Sequence, residues 1–170
     1  NNSSHYEERV SQINQLSSFL DKKKKMVEIL AFSLAPNHYH LILKQLEDKG
    51  ISTFMHRVGT SFSNFINKKY NRIGSLFQGP FKAIHINNND YLLWLSGYIN
   101  GNIEIHKIAK ADSYKWSSFR YFLNLEENKF LGEKDFVLGQ FKDIKDYKDF
   151  VEVVIETSKS KKEMEKYYLE

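Results

Sequence analysis

The order of apolar patterns along the chain predicts an α+β fold, an antiparallel sheet covered by helices on one face. Three observations carry this expectation. Two apolar runs, residues 26–34 and 38–43, are joined by Ala35-Pro36-Asn37 and read as an antiparallel hairpin. From Ile51 to about Tyr70 the apolar residues Ile51, Phe54, Met55, Val58, Phe62, Phe65 and Ile66 fall at helical spacing. The whole order is helix, strand, strand, helix, strand, helix and a helical tail. It is that of a ferredoxin-like β-α-β-β-α-β unit whose opening strand is missing.

The elements follow in turn. Residues 5–22 read as an amphipathic helix, with Val10, Ile13, Leu16, Phe19 and Leu20 on one face, and the run Lys22–Lys25 ends it. After the hairpin and its polar loop, the long helix closes at residues 72–74. A strand is expected over residues 81–86, after Gly79-Pro80. The run Asn87-Asn88-Asn89-Asp90 offers N-caps for a helix from Tyr91 to about Asn102. Short helices are expected over residues 118–124, 134–141 and 144–157. Trp116 reads as a core anchor for the turn that follows the Tyr91 helix.

Composition narrows the function classes. The chain has 170 residues, of which 41% are hydrophobic and 15% aromatic, enough to build a core and to exclude general disorder. It has no cysteine, which excludes disulfides and thiolate metal sites and fits a reducing, cytoplasmic setting. No stretch approaches the length of a membrane span, and the polar start lacks a signal-peptide apolar region. Net charge is only +4, but its distribution is uneven. Residues 51–89 hold Arg57, Lys68, Lys69, Arg72 and Lys82 with no acidic residue. Such a footprint suits phosphates; on charge alone it equally suits a solvated basic helix.

Two short patterns are able to carry chemistry. Residues two apart on a strand share a face, so His38 and His40 present two imidazoles side by side, a suitable pair for a divalent metal. By itself such a pair is as compatible with a structural role. Tyr98 and Asn102 stand one turn apart on one helix face. Spacing alone does not select Tyr98 over Tyr91.

Resemblance selects it. Pro36-Asn37-His38-Tyr39-His40-Leu41-Ile42-Leu43 is similar to the Pro-Asn-His-hydrophobic-His signature of the HUH-type transposases with a single catalytic tyrosine. Ser75-Leu76-Phe77-Gln78-Gly79-Pro80-Phe81-Lys82-Ala83 resembles that family's Phe-Gln-Gly-x-Phe-Lys segment. The stretch Tyr91-Leu92-Leu93-Trp94-Leu95-Ser96-Gly97-Tyr98-Ile99-Asn100-Gly101-Asn102 resembles its tyrosine helix, and Tyr114-Lys115-Trp116-Ser117-Ser118-Phe119 the Tyr-x-Trp-Ser-Ser-Tyr that follows. Residues Leu138–Val151 also resemble the helical tail of the branch related to REP-associated tyrosine transposases.

The resemblance implies a nuclease-transposase domain over residues 1–125 and a helical extension over 126–170. Tyr98 would be the nucleophile, forming a 5′-phosphotyrosine link. His38, His40 and Asn102 would hold Mg²⁺ or Mn²⁺. The partner would be single-stranded or hairpin DNA, met by Arg57, Lys68, Lys69, Arg72, Phe77, Gln78 and Lys82. The rival expectation is a DNA-binding relative that no longer cuts; a third is a metal-dependent hydrolase of small phosphoesters. The chain departs from the family at Ala35, Ile103 and Gly97, where relatives often have Met, Pro and Arg. Gly97 costs a helix interior up to ~1 kcal/mol relative to Ala and is expected to let the Tyr98 helix shift. The absent opening strand is expected to be lost, to lie outside this chain, or to come from a second copy in a homodimer.

Overall fold

Strand formation begins where the apolar run does. In the computed structural model, which describes residues 25–167, β1 (Val27–Leu34) pairs antiparallel with β2 (Tyr39–Gln45). The Ala35 N–H donates to the His38 carbonyl at 2.9 Å and closes the turn. Register runs from Leu34 opposite Tyr39 to Val27 opposite Gln45, with an irregularity between Ile29 and Ala31. The expected helix over residues 5–22 lies outside the described residues.

The outer edge of β1 is occupied by backbone that is not itself a strand. Leu131 bridges Ile29 and Ser117 bridges Ser33. Leu34 N–H donates to the Trp116 carbonyl at 2.8 Å, Ser118 N–H to the Phe32 carbonyl at 2.9 Å, and Gly132 N–H to the Ile29 carbonyl at 2.8 Å. Trp116 therefore holds this turn by its carbonyl. Its indole is 63% exposed and anchors no core, which corrects the expectation.

Helix α1 (Gly50–Lys69) follows its apolar periodicity, entered through Lys49 at φ 55. Gly50 is needed there, since a Cβ would stand 2.3 Å from the Met26 carbonyl oxygen. Val58, Phe62 and Phe65 remain exposed on this helix among the described residues. Residues 81–87 form no ladder among the described residues, contrary to the expected strand. An apolar segment is able to be a strand, but only a neighbouring edge makes it one. Phe81 and Ile84 are 41% and 76% exposed, so no layer covers them here.

Helix α2 (Asn89–Ile105) starts at Asn88, whose side-chain oxygen accepts from the Tyr91 N–H at 2.8 Å. A 3-10 turn (Ala111–Ser113) and the short helices α3 (Phe119–Phe122) and α4 (Asp135–Leu138) lead to the long α5 (Ile144–Tyr167). One apolar core joins Leu30 and Ala31 of β1, Ile42 of β2, Ile99 and Ile105 of α2, and Tyr147, Val151 and Ile155 of α5. Helix α2 is thus covered by the hairpin and by α5. The chain is α+β, as its pattern predicts, with two paired strands among the described residues.

Helix α5 lies against α2 where side chains are smallest. A Cβ on Gly97 would stand 3.0 Å from Phe150 Cε1 and 3.1 Å from Val154 Cγ2, and one on Gly101 2.4 Å from Ile155 Cγ1. The expectation that Gly97 frees the helix gives way to a different role: Gly97 and Gly101 form a groove that lets α5 approach. Buried polar groups lock the same region. Asn100 Nδ2 donates to the Tyr147 hydroxyl at 2.8 Å, and Ser118 Oγ donates to Asn100 Oδ1 at 2.6 Å. The Phe32 N–H donates to Ser118 Oγ at 3.0 Å, tying α2, α5 and β1 together.

Candidate active site

The hairpin and α2 bring the four sequence-derived site residues into one place. His38 follows the turn and His40 lies two residues on, so both point to one face of β2; their ring centroids are 5.2 Å apart. Tyr98 comes to them from α2, with its ring centroid 6.0 Å from that of His40. Asn102 follows one turn later and is fully buried. Ala31 and Ile42 below, with Ile99 and Ile105 on α2, hold strand and helix at this distance.

Hydrogen bonding and burial set the state of each group. His38 Nδ1 lies 2.7 Å from Asn37 Oδ1. An amide oxygen only accepts, so Nδ1 is the donor in this contact, which leaves Nε2 as the ring nitrogen not engaged by Asn37. Burial lowers the His40 pKa, and His38, His106 and Lys162 lower it further, which favours the neutral imidazole a metal requires. Burial raises the Tyr98 pKa, against a smaller opposite effect of Asn102. Neither Oδ1 nor Nδ2 of Asn102 has a hydrogen-bond partner. Its effect on Tyr98 is therefore one of proximity rather than of a formed bond. A buried amide left unpaired costs ~1–3 kcal/mol, an arrangement that an external partner would relieve.

These features suit a metal held by few protein groups. The two adjacent imidazoles of His38 and His40 and the unpaired amide oxygen of Asn102 fit such a set, and among the described residues no three His, Cys, Asp or Glu side chains form a cage of their own.

Two further residues belong to the site. Trp94 stacks on Tyr98 with centroids 5.3 Å apart and an interplanar angle of 15°. The His106 ring centroid lies 5.2 Å from that of His38. Trp94, Tyr98, Asn102 and His106 recur every four residues, a single stripe down α2. Extending the Tyr98–Asn102 spacing one step each way finds both.

The residues expected to meet DNA stand elsewhere. Arg57, Lys68 and Lys69 are exposed on α1, Arg72 lies just beyond it, and Gln78 and Lys82 are exposed on the segment before α2. Lys69 Nζ lies 5.7 Å from the Phe65 ring centroid and 5.4 Å from that of Tyr70. Phe77 is half-buried, its ring centroid 6.4 Å from that of Phe62 and 6.2 Å from that of Tyr39. Through Tyr39 this group adjoins the strand that carries the histidines.

Residues 5–102, which include His38, His40, Tyr98 and Asn102, match the family model described as "Transposase IS200 like". No curated protein and no solved structure gives a significant match. No helix among the described residues is long and apolar enough to cross a membrane. With more than half of its length matched, the chain belongs to the IS200-like transposase family.

Proposed function

We propose that this transposase cuts and rejoins single-stranded DNA at hairpin-bearing ends, with Tyr98 as nucleophile. The observation that carries the reading is that Tyr98 stands 6.0 Å from His40, centroid to centroid, within one chain. One subunit thus presents both the phenol and the imidazoles, which favours action of Tyr98 beside its own histidines.

In the proposed reaction, Tyr98 Oη attacks the scissile phosphorus. A tyrosine–phosphorus bond forms, the bond to the 3′ oxygen breaks, and that oxygen takes a proton to leave as a 3′-hydroxyl. The phenol proton passes to solvent, because burial keeps Tyr98 protonated at neutral pH and no carboxylate is among the groups acting on it. The 5′-phosphotyrosine retains the energy of the cleaved bond, so the 3′-hydroxyl of a second strand can displace Tyr98 without ATP. His38, His40 and Asn102 would hold Mg²⁺ or Mn²⁺. When bound, the ion supplies polarisation of the phosphate and stabilises charge on the leaving oxygen. Arg57, Lys68, Lys69, Arg72 and Lys82 would meet backbone phosphates, and Phe77 and Gln78 unpaired bases.

Incubation with labelled single-stranded hairpin DNA and Mn²⁺ tests this. A covalent adduct is expected from the parent chain and none from Tyr98→Phe, which should still bind the strand. Binding by the parent without any adduct would instead identify a relative that no longer cuts. Phosphoester turnover that survives Tyr98→Phe would point to a metal hydrolase.

A further inference from the structure

We infer that Ser33 is a positioning residue of the metal centre: its hydroxyl accepts from Nδ1–H of His40 and so turns Nε2 of that ring toward the ion. The role deepens the metal reading given above and rests on it. The contact itself rests on the register of the hairpin.

Backbone bonding fixes where the Ser33 side chain stands. Phe32 and Leu34 turn their main-chain groups outward, to Ser118 and Trp116, so those of Ser33 between them turn inward to β2. There Ser33 lies opposite His40. Directly opposite residues of an antiparallel pair share a face, with Cβ atoms roughly 5 Å apart. His40 meets Tyr98 of α2 on its face, so Ser33 is turned toward α2 as well. The neighbouring pair on this face, Ala31 and Ile42, is apolar and belongs to the core. Ser33 and His40 are the step at which core gives way to site.

Ser33 is as buried as any core residue, 0% exposed, yet it carries a hydroxyl. Among the described residues its Oγ has no hydrogen-bond partner. Buried polar groups in folded chains are nearly always paired, so this one has bonding capacity in reserve beside a histidine. The neighbouring imidazole shows how such capacity is used. His38 Nδ1 donates to Asn37 Oδ1 at 2.7 Å, which leaves Nε2 for other partners. A ligating imidazole typically holds its second N–H on an acceptor, which fixes both tautomer and ring orientation. In His40, Nδ1 is on the Cβ side of the ring, within reach of a hydroxyl on the opposite residue, and Nε2 is at the far end. Side-chain rotation suffices to close the bond from cross-strand positions. Ser33 would then do for His40 what Asn37 does for His38, and both rings would offer the same nitrogen to one ion.

Nitrogen NMR of the metal-free full chain, labelled at histidine, reads the tautomer directly. Nδ1–H is expected at His40 in the parent, with a shift toward Nε2–H in Ser33→Ala. Mn²⁺ uptake by the same chains without DNA, followed by calorimetry, should weaken about tenfold in Ser33→Ala, as loss of an outer partner of a ligand requires. Ser117→Ala removes another buried hydroxyl, 1% exposed, from the backbone that bridges Ser33, and should change neither readout. An Nε2–H tautomer of His40 in the parent overturns the inference. Mn²⁺ uptake that Ser33→Ala leaves unchanged, or weakens no more than Ser117→Ala does, overturns the role of Ser33 alone. A parent chain that takes up no Mn²⁺ overturns the metal centre, and a Ser33-dependent Nδ1–H tautomer in that chain still upholds the contact.

Discussion

Replacing Gly101 by alanine sets two effects of opposite sign against each other. Within a helix, Gly→Ala gains ~1 kcal/mol from backbone entropy and propensity. At this position the new methyl would meet Ile155 Cγ1 at 2.4 Å and Cδ1 at 3.0 Å. Ile155 is 4% exposed, so its branch has no open space to swing into. Overpacking of this kind costs ~1–3 kcal/mol, and a contact this short belongs at the upper end. The expected net effect is a loss of ~2 kcal/mol, read as a lower urea midpoint at unchanged slope. Gly97→Ala is the internal comparison. Its contacts of 3.0 and 3.1 Å ask neighbours to yield only a few tenths of an ångström, so stability should stay within ~0.5 kcal/mol of the parent. Ile155→Ala alone should cost ~2–4 kcal/mol through the cavity it leaves. Combined with Gly101→Ala, part of that cavity is filled, so the two losses should fall short of additive by ~1–2 kcal/mol. If Gly101→Ala proves more stable than the parent by the propensity gain alone, the groove does not bring the helices together and the packing argument fails.

Two other perturbations reach the same region. Burial pushes the Tyr147 phenol up from its ordinary 10.0 to about 12. A raised folded pKa means that the folded chain holds this proton more tightly than the unfolded one. Its contribution is complete below pH 10 and is lost as pH rises toward 12, by up to ~3 kcal/mol. Alkaline denaturation should show that loss, and Tyr147→Phe should flatten it while costing ~1–2 kcal/mol at neutral pH through the unpaired Asn100 amide. Trp94 is 42% exposed and stacks on Tyr98. Trp94→Ala should leave stability within ~0.5 kcal/mol yet slow adduct formation up to about tenfold, as loss of ~0.5–1.5 kcal/mol of stacking requires, with Trp94→Phe in between. An unchanged rate in Trp94→Ala would remove Trp94 from the site.

Much of the fold and the centre of the site were legible because they depend on local rules. Two apolar runs joined by a turn signal place the hairpin, helical spacing places α1, and Asn88 caps α2 within the predicted cluster. His38 and His40 were visible as a pair on one strand face, Tyr98 and Asn102 through the resemblance of their helix, and the hairpin and α2 place His38, His40 and Tyr98 together. What was not legible depends on one element's register against another. Lys162 meets His106 only because α5 lies along the Gly97–Gly101 groove. Read on its own helix, Gly97 looked like a weakness; against Phe150 and Val154 it is a fit. Residues 81–86, expected as a strand after Gly79-Pro80, lack a partner edge among the described residues. Trp116 has the size of a core residue, yet its turn is held by main-chain groups and by the Tyr114 hydroxyl, which donates to the Leu34 carbonyl at 2.7 Å.

The closed margin of β1 gives growth of this sheet a direction. A bare strand margin is a template on which any extended chain, native or foreign, can condense. On β1 the groups at Ile29, Phe32 and Leu34 are already saturated by Gly132, Ser118 and Trp116, so recruitment on that side is blocked. Among the described residues β2 is bounded by β1 alone. Any strand that joins the sheet must therefore lie down against β2, directly alongside His38 and His40. Enlargement of the sheet and alteration of the histidine surroundings are consequently one event. Peptides that add to this protein by main-chain pairing should be felt at its histidines first.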